Sequence, residues 1–315
     1  MSKAILLLNM GGPNSIDEVE IFLKNMFKDP YILQTNPIVR KLVGSIIVKK
    51  RLHEAQENYR EIGGKSPLLE ITSSLAQKVE ELTSIKTLPI MRYVPPFAKD
   101  VLSNLKQQGI DELILFSMYP HYSSTTTTSS IDDILNSCKE LKYHPKIKII
   151  DRYYDNQEYI KIQINLIKEA LNNRDPKEIK LIISAHGLPL DIINKGDPYQ
   201  EHIEKNRELI EKELKKDGIE FKEIELAYQS KVGNGTWLEP NLVDVLRNPN
   251  NLKVLIFPIA FTIDNSETIF ELDIEHKDIA TKIGYSYYKV AKCPNDKDEF
   301  AYFIAKSITN LLNQD

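Results

Sequence analysis

The chain has 315 residues, 42% of them apolar and 27% charged, with a formal net charge of −4 and a pI near 6.0. These values describe an ordinary globular protein of one large or two medium domains, and they exclude an overall nucleic-acid-binding footprint. Cys138 and Cys293 are the two cysteines and no CxxC occurs, which points to a reducing compartment and away from a cysteine-held zinc or iron–sulfur site.

The N-terminus, MSKAILLLNMGGP, carries one basic residue and a short apolar run. It is too short for a signal h-region and reads as a first strand, Ala4 to Leu8. Nothing approaches 18 consecutive apolar residues, so no membrane span is expected. Asn9-Met10-Gly11-Gly12-Pro13 is a tight turn, after which Asn14 or Ser15 caps a helix from about 16 to 26. The double glycine either lets a backbone approach a flat or anionic ligand or is plain turn chemistry. It is not a GxGxxG, so no dinucleotide fingerprint is present.

From Lys28 to Arg51 the chain is broken by Pro30 and Pro37. Val39, Leu42, Val43, Ile46, Ile47 and Val48 then recur near helical spacing among Arg40, Lys41, Lys49, Lys50 and Arg51. Such a helix lies on an anionic membrane surface or packs on its own domain. Tyr59 and the turn from Ile62 to Leu68 lead into a helix from about 70 to 82. Leu88 to Tyr93 is a second strand, and Glu112 to Met118 a third. The third ends in a hydroxyl-rich stretch, Tyr119-Pro120-His121-Tyr122-Ser123-Ser124 and on to Ser130. This stretch is either a loop that suits a large flat ligand bearing carboxylates, or a helix N-terminus rich in capping hydroxyls. Lys146 to Asp151 is a fourth strand.

The second half repeats this order weakly, at a spacing of roughly 170 residues. The strand Ile179–Ser184 runs into Ala185-His186-Gly187-Leu188-Pro189, Ile224–Tyr228 into Gln229-Ser230-Lys231-Val232-Gly233, and Val254–Phe257 into Pro258. Tyr285 to Ala291 is a last strand and 298 to 312 a last helix. Two α/β halves of one topology follow, with the carboxyl ends of both sheets facing one cleft. Gly233, Gly235, Trp237 and Pro240 form an irregular loop near it, in which Trp237 is core packing or a ligand wall.

After Pro258 comes the turn Thr262-Ile263-Asp264-Asn265-Ser266, with Asp264 or Ser266 as cap of the helix that follows. Glu267, Glu271 and Glu275 are spaced by four. On an α-helix that stripe drifts by about 40° per step, and a locally wider turn aligns it better. The stripe is a solvated acidic face or a track of hard oxygen ligands for a divalent cation. His186, just past the carboxyl end of a buried strand, stands where open α/β sheets place ligand sites. One imidazole facing one carboxylate makes a metal or proton-transfer pair.

The motifs LNMGGP, YREIGGKSPL, MRYVPPF, MYPHYSSTTTTSS, ISAHGLP, AYQSKVG with WLEPNL, and ETIFELDIEH occur in that order. Together they resemble the ferrochelatase family over nearly the whole chain. The resemblance implies two similar Rossmann-like lobes, each a parallel four-stranded sheet flanked by helices, with an active-site cleft between them. The expected division is 1–150, an N-terminal lobe with a lip over a porphyrin cleft; 151–295, a C-terminal lobe with the metal-insertion residues; and 296–315, a helix packing back across the lobes. The implied activity is insertion of Fe2+ into protoporphyrin IX to give protohaem, with release of two protons. A coproporphyrin or cobalt/sirohydrochlorin-type chelatase is the near alternative, and a non-catalytic porphyrin- or haem-binding protein one of another class.

By the same resemblance His186 and Glu267 are the catalytic and metal-contacting pair, and Glu271, Glu275 and Asp264 a metal or proton relay. On side-chain chemistry, Met10, Tyr93 and Tyr122 are candidate walls for the porphyrin, and Arg92, Ser123 and Lys65 candidate partners for its propionates. Glu267 is expected across the macrocycle from His186. The family usually has an Asp-His pair where this chain has Asp264-Asn265, so a second imidazole is missing; Asn265 can hydrogen-bond and orient a neighbour but cannot take a proton at neutral pH. Fe2+ enters as substrate, with no permanent cofactor and no iron–sulfur cluster expected. Porphyrin and ferrous iron are the implied partners; neither nucleic acid nor any particular oligomer is implied. The expected location is cytoplasmic, with peripheral contact at the inner face of the membrane through 39–51.

Overall fold

The computed structural model describes residues 2–231 and 235–314. Gly233, assigned above to the irregular loop before Trp237, lies outside the described residues. The chain divides into two compact units, Met1–Arg152 with Asp296–Asp315, and Tyr153–Asn295.

In the first unit β1 (Lys3–Asn9), β2 (Lys86–Met91), β3 (Glu112–Ser117) and β4 (Lys146–Ile150) form one parallel sheet in the order β2-β1-β3-β4. Every residue of β3 and all but the first of β1 are buried. A parallel sheet is covered on both faces, so its inner strands are continuous apolar runs rather than alternating ones. The helices of this unit are α1 (Glu18–Lys28), α2 (Pro37–Glu61), α3 (Leu68–Thr83), α4 (Ala98–Gln107) and α5 (Ser129–Glu140). Asn36 caps α2 by accepting from the Val39 N–H at 3.0 Å, and Pro37 opens its first turn, a position that needs no N–H. α2 lies against α1 because Gly44 has no side chain: a Cβ there would stand 3.0 Å from the Phe27 carbonyl oxygen. Its other face is open, with Ile38 84%, Leu42 64% and Ile46 48% exposed.

The hydroxyl-rich stretch after β3 is a helix N-terminus. Ser124–Thr128 form a π-helical turn that runs into α5, capped by Ser123, whose hydroxyl accepts from the Thr125 N–H at 3.2 Å.

The second unit repeats the sheet. β5 (Lys180–His186), β6 (Glu223–Gln229), β7 (Lys253–Pro258) and β8 (Tyr287–Val290) are parallel in the order β6-β5-β7-β8. Each unit thus places its first strand between its second and third. The helices are α6 (Gln157–Leu171), α7 (Leu190–Asn194), α8 (Tyr199–Lys216), α9 (Leu242–Arg247) and α10 (His276–Ile283). A nine-residue π-helix, Glu267–Glu275, leads into α10. The chain then returns to the first unit as α11 (Asp298–Leu312), which packs on α3. Ser74 donates to Asp296 at 2.6 Å, and Lys78 to Asp298 at 2.7 Å, which moors the start of α11.

Candidate active site

β5 ends on His186, in register with Gln229 of β6. The Gly187 N–H donates to the Gln229 carbonyl at 2.8 Å, and the Tyr199 hydroxyl to the His186 carbonyl at 3.0 Å. Backbone on both sides of the imidazole is therefore pinned. Gly187 is required by crowding, since a Cβ there would meet the Gln229 oxygen at 2.9 Å and Trp237 Cε3 at 3.6 Å. Trp237, half-buried and bridged to Pro189, packs over this turn.

The π-helix presents the acids. Its wider turn brings residues four apart nearly into line, and π segments cluster at functional sites because they are costly to keep otherwise. The His276 N–H bonds back to the Glu271 carbonyl, five residues earlier. Asn265 caps the start: its Oδ1 accepts from the Glu267 N–H at 2.8 Å, where Asp264 or Ser266 was expected. Asp264 is occupied elsewhere. It accepts from Thr268 Oγ1 at 3.1 Å and Asn295 Nδ2 at 2.9 Å, with Lys292 at 3.7 Å. The structure thus uses Asp264 to tie the turn to the end of the unit.

His186 Nδ1 and Glu267 Oε2 are 2.7 Å apart. No flat ring fits between them, so the expectation that they face each other across one is corrected: β5 and the π-helix set both groups on one side. Where Nδ1 donates its proton to the carboxylate, the neutral form of the ring keeps its lone pair at Nε2. Ser230 extends the pair. Its hydroxyl lies 3.3 Å from Glu267 Oε2 and bonds closely to Glu271 Oε2, which Gln229 Nε2 also reaches at 3.3 Å. Ser184 holds Gln229 at 2.7 Å. Ser230 sits at φ +66°, a left-handed conformation uncommon outside glycine.

Side-chain exposure is 36% at His186, 22% at Glu267 and 17% at Glu271, while Glu275 is exposed. Burial alone lowers the His186 pKa, but Glu267 and then Glu271 outweigh it, and the net shift is upward. Burial first, and then the Glu267 charge, push Glu271 up to about 7, against the opposing pull of Ser230 and His186. His276, buried with Nε2 4.0 Å from Glu271 Oε1, is pulled down to about 4 by burial. Among the described residues no three His, Cys, Asp or Glu side chains form a metal cluster.

The remaining residues named from the sequence lie in the first unit. Met10 is half-buried after β1, its carbonyl accepting from the Tyr93 N–H at 3.0 Å. Tyr93 is 2% exposed and donates to buried Asp29 at 2.9 Å. Arg92 reaches Ser129 at 2.9 Å, Asp29 at 3.2 Å and Asp133 at 3.4 Å. Tyr122 meets Thr128 at 2.8 Å, with the Arg152 guanidinium 5.0 Å from its ring centre. Ser123 is 1% exposed in its capping role, and Lys65 pairs with Glu70 at 2.8 Å on the surface. Ser230, Gln229, Tyr199 and the cap formed by Asn265 escaped the reading of the sequence. The place of Ser230 one residue past β6, beside the strand that carries His186, is the signal that could have found it.

The family model described as ferrochelatase matches residues 2–312. Relatives named ferrochelatase include one from Campylobacter concisus, 49% identical and covering 98% of both chains, and one from Wolinella succinogenes with the same identity and coverage. One from Helicobacter pylori strain P12 is 44% identical over 98% of this chain and 93% of its own. Solved structures share the fold at low identity. CbiX, titled the terminal enzyme for biosynthesis of siroheme in denitrifying bacteria, has a TM-score of 0.55 at 10% identity, covering 98% of this chain and 99% of its own. SirB from Bacillus subtilis with Fe3+ has 0.58 at 9%, covering 99% and 96%.

Proposed function

The chain belongs to the ferrochelatase family, and from that premise we propose how its own residues carry the reaction, insertion of ferrous iron into a porphyrin to give protohaem with loss of two protons. The observation that carries the proposal is the hydrogen-bonded line His186–Glu267–Ser230–Glu271. His186 Nε2, with its lone pair free of Glu267, accepts one of the two pyrrole N–H protons, and the other is released to solvent. The imidazolium so formed is held by the Glu267 carboxylate through Nδ1. Ser230, donor and acceptor at once, bridges to Glu271, whose pKa of about 7 lets it take and return a proton near neutrality. Glu275, one step further and exposed, hands that proton to water.

Iron is the substrate; with Nδ1 bonded to Glu267, the imidazole offers it Nε2 alone, a looser hold than a closed cage, as an ion that must be passed on before Nε2 takes a proton requires. Met10 and Tyr122 are the walls we assign to the porphyrin, with Arg92 and Lys65 for its propionates. Tyr93 and Ser123 support these walls from behind, as their burial suggests. The two buried cysteines play no part, and the proposal includes no iron–sulfur cluster. Among the described residues no helix is long and apolar enough to cross a membrane. We assign peripheral contact, at the inner face of the membrane, to the exposed apolar side of α2.

The test is anaerobic absorbance of protoporphyrin mixed with ferrous iron, and with zinc in parallel. Wild type is expected to deplete the free-base bands catalytically. His186→Ala is expected to be at least about a hundredfold slower with an unchanged thermal midpoint; normal turnover by that variant would remove the centre of the scheme.

A further inference from the structure

Glu267 is held to His186 by one 2.7 Å contact, and the longer 3.3 Å approach of Ser230 steadies it only weakly. Its placement therefore depends on where the π-helix begins. The first N–H groups of any helix lack partners within it, and an uncapped start is free to fray or slip. One residue of slip turns a side chain by about 100° about an α-helical axis and by somewhat less about a wider one, enough to carry Glu267 away from the imidazole.

Asn265 closes that freedom from both ends of its side chain. Oδ1 accepts from the Glu267 N–H at 2.8 Å, and Nδ2 donates to the Ile263 carbonyl at 3.1 Å. Thr268 Oγ1 returns the bond by accepting from the Asn265 N–H at 3.0 Å. This is the reciprocal logic of a capping box. The two partners also fix the amide's orientation, since one is a donor and the other an acceptor. At 7% exposure Asn265 leaves little room for water to replace either bond.

We propose that Asn265 is a positioning residue for metal insertion: it sets the register of the π-helix and, through the Glu267 backbone, holds the Glu267 carboxylate on His186. The proposal rests on the chelatase scheme above. It assigns Asn265 a geometric role in place of proton transfer, and it makes turnover sensitive to the position of one acceptor atom.

The test compares full-length wild type, Asn265→Ala, Asn265→Ser and Asn265→Gln by kcat, by KM for iron and for protoporphyrin, and by thermal midpoint. Serine keeps a short uncharged acceptor in reach of the N–H two residues on. Glutamine keeps the amide but displaces its oxygen by one methylene. Alanine and glutamine are expected to lower kcat about 10- to 100-fold, with KM for protoporphyrin within about twofold of wild type. Serine is expected to stay within about threefold in kcat. Wild-type kcat in Asn265→Ala overturns the proposal, as does serine falling as far as alanine. Should alanine fail to fold, wild-type kcat in Asn265→Gln overturns it equally. A wild type that inserts no metal overturns the chelatase scheme and this inference with it, whereas the variant outcomes bear on Asn265 alone.

Discussion

At the scale of single residues, the site is a balance between burial and shared protons. Ser230 is where that balance is most exposed to mutation. Ser230→Ala removes a hydrogen bond to charged groups, worth about 1.5–3 kcal/mol. It should lower kcat roughly 10- to 100-fold, read in the same absorbance assay. Glu271 carries a stability cost that can be measured. Its pKa is raised from 4.5 to about 7 by burial, so folding favours its protonated form. That contribution is full below about 4.5 and is lost as pH rises through about 7. Glu271→Gln should therefore melt higher than wild type at pH 8, and the gap should close towards pH 4.5; equal midpoints at pH 8 would contradict the assigned burial. His186, Glu267 and Glu271 were legible in the sequence, because a histidine after a buried strand and acids at spacing four are local patterns. Ser230 was not, because its role comes from the register of β6 on β5 and from a positive φ. The fate of Asp264 was equally hidden: its partner Asn295 lies 31 residues away.

At the scale of elements, strand ends and one unusual helix do the positioning. Gly187 allows the turn after β5 to close on Gln229. Gly187→Ala forces a Cβ to 2.9 Å from that backbone carbonyl. Overpacking of this kind costs about 1–3 kcal/mol, and since His186 is the preceding residue, kcat should fall even where the fold survives. Thermal melts and turnover on one preparation check this. α2 exposes Ile38, Leu42 and Ile46 at helical spacing beside basic residues. Changing the three to serine should weaken sedimentation with anionic vesicles and leave insertion into soluble porphyrin intact; unchanged sedimentation would assign that face elsewhere. The strands were readable as continuous apolar runs, and the parallel sheets follow from them. The hydroxyl-rich stretch was ambiguous, because serine and threonine serve loops and helix caps alike. Its backbone bonds resolve it as a helix start.

At the scale of the whole molecule, the doubled sheet order was foreshadowed by weak internal similarity, while the return of α11 to the first unit rests on burial. Phe300, Phe303, Ile304 and Ile308 are at most 2% exposed. Each is worth about 1.5–3 kcal/mol, so together they rival an ordinary domain's total stability of roughly 5–15 kcal/mol. Deleting 298–312 should make the first unit protease-sensitive while Tyr153–Asn295 persists as a resistant fragment; equal sensitivity of both would contradict the division. The same return has a consequence for synthesis. In the sequence, the whole second unit comes between α3 and the helix that covers it. At about 5–20 residues per second, translating Tyr153–Asn295 takes roughly 7–30 s. For that interval the nascent first unit waits with the apolar side of α3 uncovered. A chaperone that shields such a surface on the ribosome should matter more to the yield of this protein than to that of a chain whose domains finish in order.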